Sequence, residues 1–125
     1  MATFAGGNQP PQQHLRQYRP GAEIKRIGNY FGLAIKGGMV AAGDMAATKA
    51  LKAGQAFLLV LAKDTSSAVV KELLPLAEKR QLPLLWWPDK DSLGFTVGKS
   101  RRGALAMLDK GFSAAILKLC EEIIA

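Results

Sequence analysis

"AAGDMAATKALKAGQAFLLVLA", Ala41 to Ala62, decides the fold, because its periodicity changes halfway along. From Gly43-Asp44 to Gly54 the chain is Ala-rich, carries Lys49 and Lys52, and reads as a helix with a glycine-acid start and a glycine stop. From Ala56 to Ala62, "AFLLVLA" contains no polar residue. A continuous apolar run this short, with Gly54 before it and Lys63-Asp64-Thr65 after it, reads as a strand buried on both faces. A helix leading into a doubly covered central strand points to a layered α/β fold.

The segments on either side fit that reading. In "GAEIKRIGNYFGLAIKGG", Ile24, Ile27, Phe31, Ala34 and Ile35 recur at helical spacing and Gly37-Gly38 ends the pattern, so a first amphipathic helix is expected there. Its Gly28 and Gly32 lie one turn apart and let another backbone approach closely. Met39-Val40 reads as a short apolar link. After the central strand, Ser66 to Arg80 predicts a third helix with Val69, Val70, Leu73, Leu74, Leu76 and Ala77 on its apolar face and a kink at Pro75.

"LPLLWW" predicts another buried strand, on which the adjacent Trp86 and Trp87 must point to opposite faces. A short helix fits Lys90 to Val97, "GALAMLD" fits a further strand, and Phe112, Ile116, Leu119, Cys120 and Ile123 mark a closing amphipathic helix. The alternation predicts a three-layer α/β/α sandwich around a small mixed four-stranded sheet.

At 125 residues the chain has room for one domain with a single core, and 49% hydrophobic with 22% charged residues is the composition of a globular protein. The first twenty residues, "MATFAGGNQPPQQHLRQYRP", lack apolar periodicity and are rich in Gln, Pro and Gly; they are expected to form a mobile tail, with the domain running from residue 21 to residue 125. The single Cys120 excludes an internal disulfide and a cysteine zinc cluster, and no apolar run has the length of a membrane span or the form of a signal peptide. A cytoplasmic location follows as the expectation.

The sequence offers few groups for catalysis. His14, the only histidine, falls in the tail, so a histidine base or metal site is disfavoured against a solvated loop histidine. Asp89 and Asp91 flank a helix start, where capping and the helix dipole explain acids more simply than paired catalytic carboxylates. Cys120 lies on an apolar helical stripe and reads as a small buried hydrophobe. No phosphate-loop fingerprint is present. The expectation is a non-enzymatic protein without a cofactor or metal.

The charge is more telling. Seventeen basic against ten acidic side chains leave a net charge of +7, which favours polyanionic partners. Lys36 ends the first helix, Lys49 lies in the second, Lys63 follows the central strand, and Lys99, Arg101 and Arg102 crowd the loop "GKSRRG". A scattered, solvated basic surface is the bland reading; an RNA-binding edge is the functional one.

The run "GLAIKGGMVAAGDMAATKALKAGQAFLLVLAKDTS", followed by "ELLPLAEKRQLPL", "LGFTVGK" and "RRGALAMLDKGFSAAI", resembles the ribosomal protein L-seven-Ae/L-thirty-e superfamily, and its small bacterial members most. The resemblance extends from about Ile24 to the C-terminus and implies an α/β/α sandwich that binds kink-turn RNA, a sharply bent internal loop built on sheared G·A pairs. The family reads RNA with G-x-N-E-x-x-K at the start of the second helix, aided by the loop before the last strand. Here the glycine falls at Gly43 and the lysine at Lys49, while Met45 and Ala46 stand where the family has asparagine and glutamate.

A helix N-terminus presents unpaired backbone donors and partial positive charge. Asp44 in that first turn suits the N–H groups of a guanine edge better than a phosphate, and Lys49 leans back toward the N-terminus. Met45 is placed to pack on a base or ribose, and Lys36, Lys63, Lys99, Arg101 and Arg102 are the candidate phosphate contacts. Arg16, Tyr18 and Arg19 in the tail are weaker candidates. Structured RNA is the expected partner, with ribosomal proteins beside it. The alternative from another class is a protein-interaction module of the translation apparatus, favoured by the apolar Met45 and Ala46.

Overall fold

The computed structural model describes residues 15–123. It is a mixed sheet with strand order β2-β5-β3-β4-β1-β6, flanked on each face by helices. In chain order the elements are β1 (Gln17–Arg19), α1 (Ile24–Lys36, entered through a single 3-10 turn), β2 (Val40–Ala42), α2 (Asp44–Lys52), β3 (Leu58–Ala62), α3 (Ser67–Lys79), β4 (Leu84–Trp87), α4 (Lys90–Thr96), β5 (Ala104–Met107), α5 (Lys110–Leu119) and β6 (Glu121–Ile123).

Strand β3 is buried at all of its positions, as a central strand should be. It pairs parallel with β4 and antiparallel with β5, with Val60 opposite both Leu85 and Leu105. Alternation then divides the core in two. Leu58, Val60, Leu85, Trp87, Leu105 and Met107 point toward α1, α4 and α5, which contribute Ile27, Phe31, Leu93 and Ile116. Leu59, Leu61, Leu84, Ala104 and Ala106 point the other way, toward α2 and α3, which contribute Ala47, Ala50, Leu51, Leu73 and Ala77. Burying a leucine or phenylalanine fully is worth about 1.5–3 kcal/mol, so both layers are needed to hold the sheet.

The two tryptophans follow the strand rule. Trp87 is buried on the α1 side, 5.2 Å from the Phe31 ring centroid, and its indole N–H donates to Ser92 Oγ at 3.1 Å. Trp86 packs on the opposite layer and donates to Gln17 Oε1 at 2.8 Å. Both indoles thus satisfy their one donor inside the fold.

Three helices start where short polar side chains accept from the first turn: Ser66 from Val69 N–H at 3.3 Å, Asp89 from Ser92 N–H at 2.7 Å, and Asp109 from Phe112 N–H at 2.8 Å. Helix α3 continues through Pro75.

The sheet has six strands rather than the expected four. Met39-Val40 is more than a link: Val40–Ala42 forms β2, which pairs antiparallel with β5. The two extra strands, β1 and β6, are three residues each and pair with one another at the sheet edge, β1 also lying parallel to β4. The expected tail therefore divides. Residues 1–14, with His14, lie outside the described residues, whereas residues 15–20 belong to the sheet and its margins. Leu15 and Tyr18 are buried, and Arg16 and Arg19 pair with Glu122 and Glu121 at 3.3 and 3.1 Å. The closing helix ends at Leu119, and Cys120 turns into extended backbone (φ −89, ψ 159), so Ile123 lies on a strand.

Candidate nucleic-acid interface

The C-terminal ends of β2, β3 and β4 and the start of β5 lie at one end of the sheet, because β2 and β3 both run antiparallel to β5 and β4 parallel to β3. The Ala41-to-Gly54 stretch supplies β2 and helix α2 there. Helix α2 sits close on the sheet because alanines meet alanines, with Ala47 and Ala50 in one buried layer with Ala104 and Ala106. That packing fixes where its N-terminus stands.

Gly43 is the α2 N-cap, with φ 105 and ψ 160, a conformation open essentially to glycine alone. Its N–H donates to the Ala104 carbonyl at 2.8 Å, so the helix start is stitched to the start of β5. Gly43 has no side chain with which to cap, leaving the first-turn donors facing outward beside Asp44, Met45 and Ala46, all exposed. Thr48 Oγ donates back to the Asp44 carbonyl at 2.8 Å and stiffens that turn.

The loop before β5 comes to the same place. A Cβ on Gly43 would lie 3.6 Å from Arg102 Cδ and 3.7 Å from its Nε, so the arginine side chain passes over the glycine. Arg102 Nη1 donates to the Ser100 carbonyl (3.3 Å), Ser100 Oγ (3.1 Å) and the Arg101 carbonyl (3.0 Å), which hold the guanidinium in its loop. The loop is tied down by Arg102 N–H donating to the Lys90 carbonyl (3.1 Å) and by Gly103, which has Thr65 directly against the place of a Cβ. Asp64, after β3, accepts from Lys90 N–H at 2.9 Å and joins the third loop to this end.

Of the expected site residues, Gly43, Asp44, Met45, Lys63, Arg101 and Arg102 share this end of the molecule, with Lys49 about 9 Å along α2 on an exposed position. Lys99 is set back, its N–H donating to the Gly94 carbonyl at 2.9 Å partway down α4. Lys36 is not with them: it ends α1, just before the start of β2, at the opposite end of the sheet. Arg16, Tyr18 and Arg19 are likewise occupied elsewhere, in the β1–β6 edge.

Both acids stand at the start of α4, Asp89 as its N-cap and Asp91 in its first turn. Hydrogen bonds from Ser92 hold the Asp89 carboxyl below the usual carboxylate range, as a cap should. Asp91 also pairs with Arg101, Nε to Oδ1 at 2.9 Å. Sequence reasoning also missed Thr65 and Lys90, the struts beneath the basic loop; both act through contacts distant in sequence, for which no local pattern exists. Among the described residues, no group of three or more His, Cys, Asp or Glu is arranged to hold a metal ion, and no helix is long and apolar enough to cross a membrane.

This is a small α/β/α sandwich protein with a glycine-capped helix tip and a basic loop meeting at one end of its sheet. The chain belongs to the Ribosomal protein L7Ae/L30e/S12e/Gadd45 family, whose model matches residues 25–117. Strands β1 and β6 both lie outside that match, so the four strands β2, β5, β3 and β4 are the part shared with the family model.

The chain is similar to the large ribosomal subunit protein eL8 of Picrophilus torridus, with 34% identity over 77 residues that span 61% of this chain and 61% of that protein. Among solved structures it is similar to a Bacillus halodurans protein of unknown function (28% identity, TM-score 0.71, 75% of this chain and 95% of that one). It also shares its fold with a Giardia lamblia 15.5 kD RNA binding protein (18% identity, TM-score 0.65, 79% and 86% covered).

Proposed function

We propose that this protein is a non-enzymatic, cytoplasmic RNA-binding protein of the ribosome or another ribonucleoprotein, and that residues 21–125 with the added β1 strand hold structured, kink-turn-like RNA at the α2 tip. One observation carries the reading. The motif glycine, Gly43, and the arginine of the basic loop, Arg102, lie against each other, with Lys49 exposed on the same helix. The names of the eL8 relative and of the Giardia protein, one ribosomal and the other RNA-binding, support the same partner class.

In this reading the uncapped first turn and Asp44 meet the exposed edges of sheared pairs, and Met45 lies on a base or ribose. Lys49, Lys63, Lys99, Arg101 and Arg102 neutralise phosphates. Lys36 has no part in it. The test is a titration of a kink-turn RNA against the same RNA with its G·A pairs replaced. Preference for the intact motif is the expected result; equal affinity would reduce the claim to general RNA attraction.

A second reading has one observation in its favour. Met45 is 83% exposed at the tip, where the family places an asparagine, and an apolar side chain there also suits a protein surface. Nucleic acid that co-purifies at low salt and leaves at high salt favours RNA over this alternative.

A further inference from the structure

Helices α1 and α4 leave an open groove of about 910 Å³ on the face of the sheet opposite α2. Its floor exists because of two glycines. A Cβ on Gly28 would come within 3.3 Å of Thr96 Cγ2, and one on Gly32 within 3.1 Å of the Thr96 carbonyl, so glycine lets the helices approach while leaving no side chains to roof the gap. The Trp87 ring and Val97 lie at the bottom. At the rim, Phe95 is 83% exposed and Leu33 is 58% exposed, although both are large and apolar. Isolated exposed apolar residues are ordinary; two flanking one apolar groove are not.

The charge around the groove is one-sided. Lys25 and Lys36 line it, and no carboxylate does among the described residues. The acids next to the lining residues are engaged: Glu23 with Arg26 at 3.6 Å, Asp91 with Arg101 at 2.9 Å, and Asp89 as the cap that accepts from Ser92 N–H at 2.7 Å. Lys36, which the RNA tip leaves unused, thus acquires a place. The groove follows α1 from Ile24 to Lys36, about 18 Å at about 1.5 Å per residue, the length of roughly three helical turns.

We infer that the α1/α4 groove is a second binding surface, which takes an acidic amphipathic helix of a partner protein. The partner lays apolar residues at i, i+3 or i+4 and i+7 between Leu33 and Phe95 and sets carboxylates against Lys25 and Lys36. Nucleic acid fits less well, since the groove offers two cations, Lys25 and Lys36, where a phosphate backbone needs a continuous basic track. The groove and the α2 tip lie on opposite faces and share none of the residues placed at the tip, so a protein and an RNA can be held together.

The test uses the full chain and a pair of synthetic peptides of about twelve residues, both with leucine on one helical face and with glutamate or lysine on the other. Backbone amide shifts should map the glutamate peptide to α1 and α4. Phe95→Ser and Leu33→Ser, at exposed positions that leave folding intact, should each weaken it about tenfold or more. The Lys25→Glu, Lys36→Glu double variant should reverse the preference toward the lysine peptide. Kink-turn RNA affinity should stay within about twofold in the two serine variants, which separates this inference from the RNA reading. Shifts elsewhere, no binding, or equal binding of both peptides would overturn it. So would an RNA crosslink in the groove, or a dimer that Phe95→Ser dissociates.

Discussion

Gly43 and Arg102 lie against each other although 59 positions separate them, with Arg102 Cδ 3.6 Å from the place of a Gly43 Cβ. Each is held by its own backbone, Gly43 through Ala104 and Arg102 through Lys90. The helix tip and the basic loop are therefore one rigid unit before any ligand arrives, and pre-organisation of this kind lowers the entropic cost of binding.

The distance also says how Gly43→Ala should act. A contact of 3.6 Å is ordinary van der Waals packing, so the methyl group itself fits; the cost lies in holding alanine at φ 105 and ψ 160. Such backbone costs about 1–3 kcal/mol. Chemical denaturation should show a loss in that range, and RNA affinity should fall with it because relaxing the strain moves the α2 tip. A variant as stable as the parent would show that the tip backbone is freer than this geometry requires.

Lys49 and Lys36 form a matched pair of tests, since both are exposed helix lysines and only one stands on the tip helix. Lys49→Ala should weaken RNA binding and flatten the salt dependence by about 0.7–0.9 for each phosphate that is no longer neutralised. Lys36→Ala should leave both unchanged. Equal losses from the two would mean that net charge, not the tip, drives binding.

Met45 and Ala46 are exposed, so they can be exchanged without touching the core. Met45→Asn with Ala46→Glu restores the polar pair that the family motif carries. Discrimination between kink-turn RNA and its G·A-replaced control should rise about tenfold, given that a good base-edge contact is worth roughly 1–3 kcal/mol. If the double variant gains nothing, the RNA does not approach these two positions in the family manner.

Much of this could be read from the sequence, for a physical reason. Strand β3 is buried on both faces, so its apolar run is continuous and unmistakable, and the strong amphipathic pattern of Ile27, Phe31 and Ala34 marks α1 as clearly. Strands β1 and β6 were hidden because three residues cannot show alternation, and because they are fastened by pairing across the chain, Gln17 with Ile123 and Arg19 with Glu121. At the candidate site, Gly43 and Lys49 stand six residues apart in one local pattern. That Arg102 belongs with Gly43 and that Lys36 does not depends on strand order, which no short window carries.

Asp89 makes acid stability partly predictable. Its carboxyl titrates below its ordinary value in the folded protein because Ser92 donates to the charged form. A depressed pKa means the cap stabilises α4 at pH above the unfolded value and loses that contribution as pH falls through the folded one. Asp89→Asn keeps a capping oxygen but no titrating charge. The stability difference between the two proteins, followed by denaturation from neutral to acidic pH, should shrink toward the acid end; a constant difference would remove the charge from the cap.

Cys120 should be a slow thiol. It is half-buried where α5 gives way to β6, its Sγ donates to the Ile116 carbonyl at 3.2 Å, and burial pushes its pKa up from 9.0 to about 11. Only the thiolate attacks, and its greater basicity offsets part of its scarcity, so alkylation by iodoacetamide at neutral pH should run about tenfold below that of a thiol of ordinary pKa, and its rate should keep climbing beyond pH about 9. Folding stability carries the same signature in reverse. A raised thiol pKa stabilises the fold below the unfolded value and is lost as pH rises toward the folded one, so the protein should weaken in that alkaline window and Cys120→Ala should not share that component. A rate that levels off near pH about 9 in the native protein, unchanged by urea, would place the thiol in solvent and detach it from the α5–β6 junction.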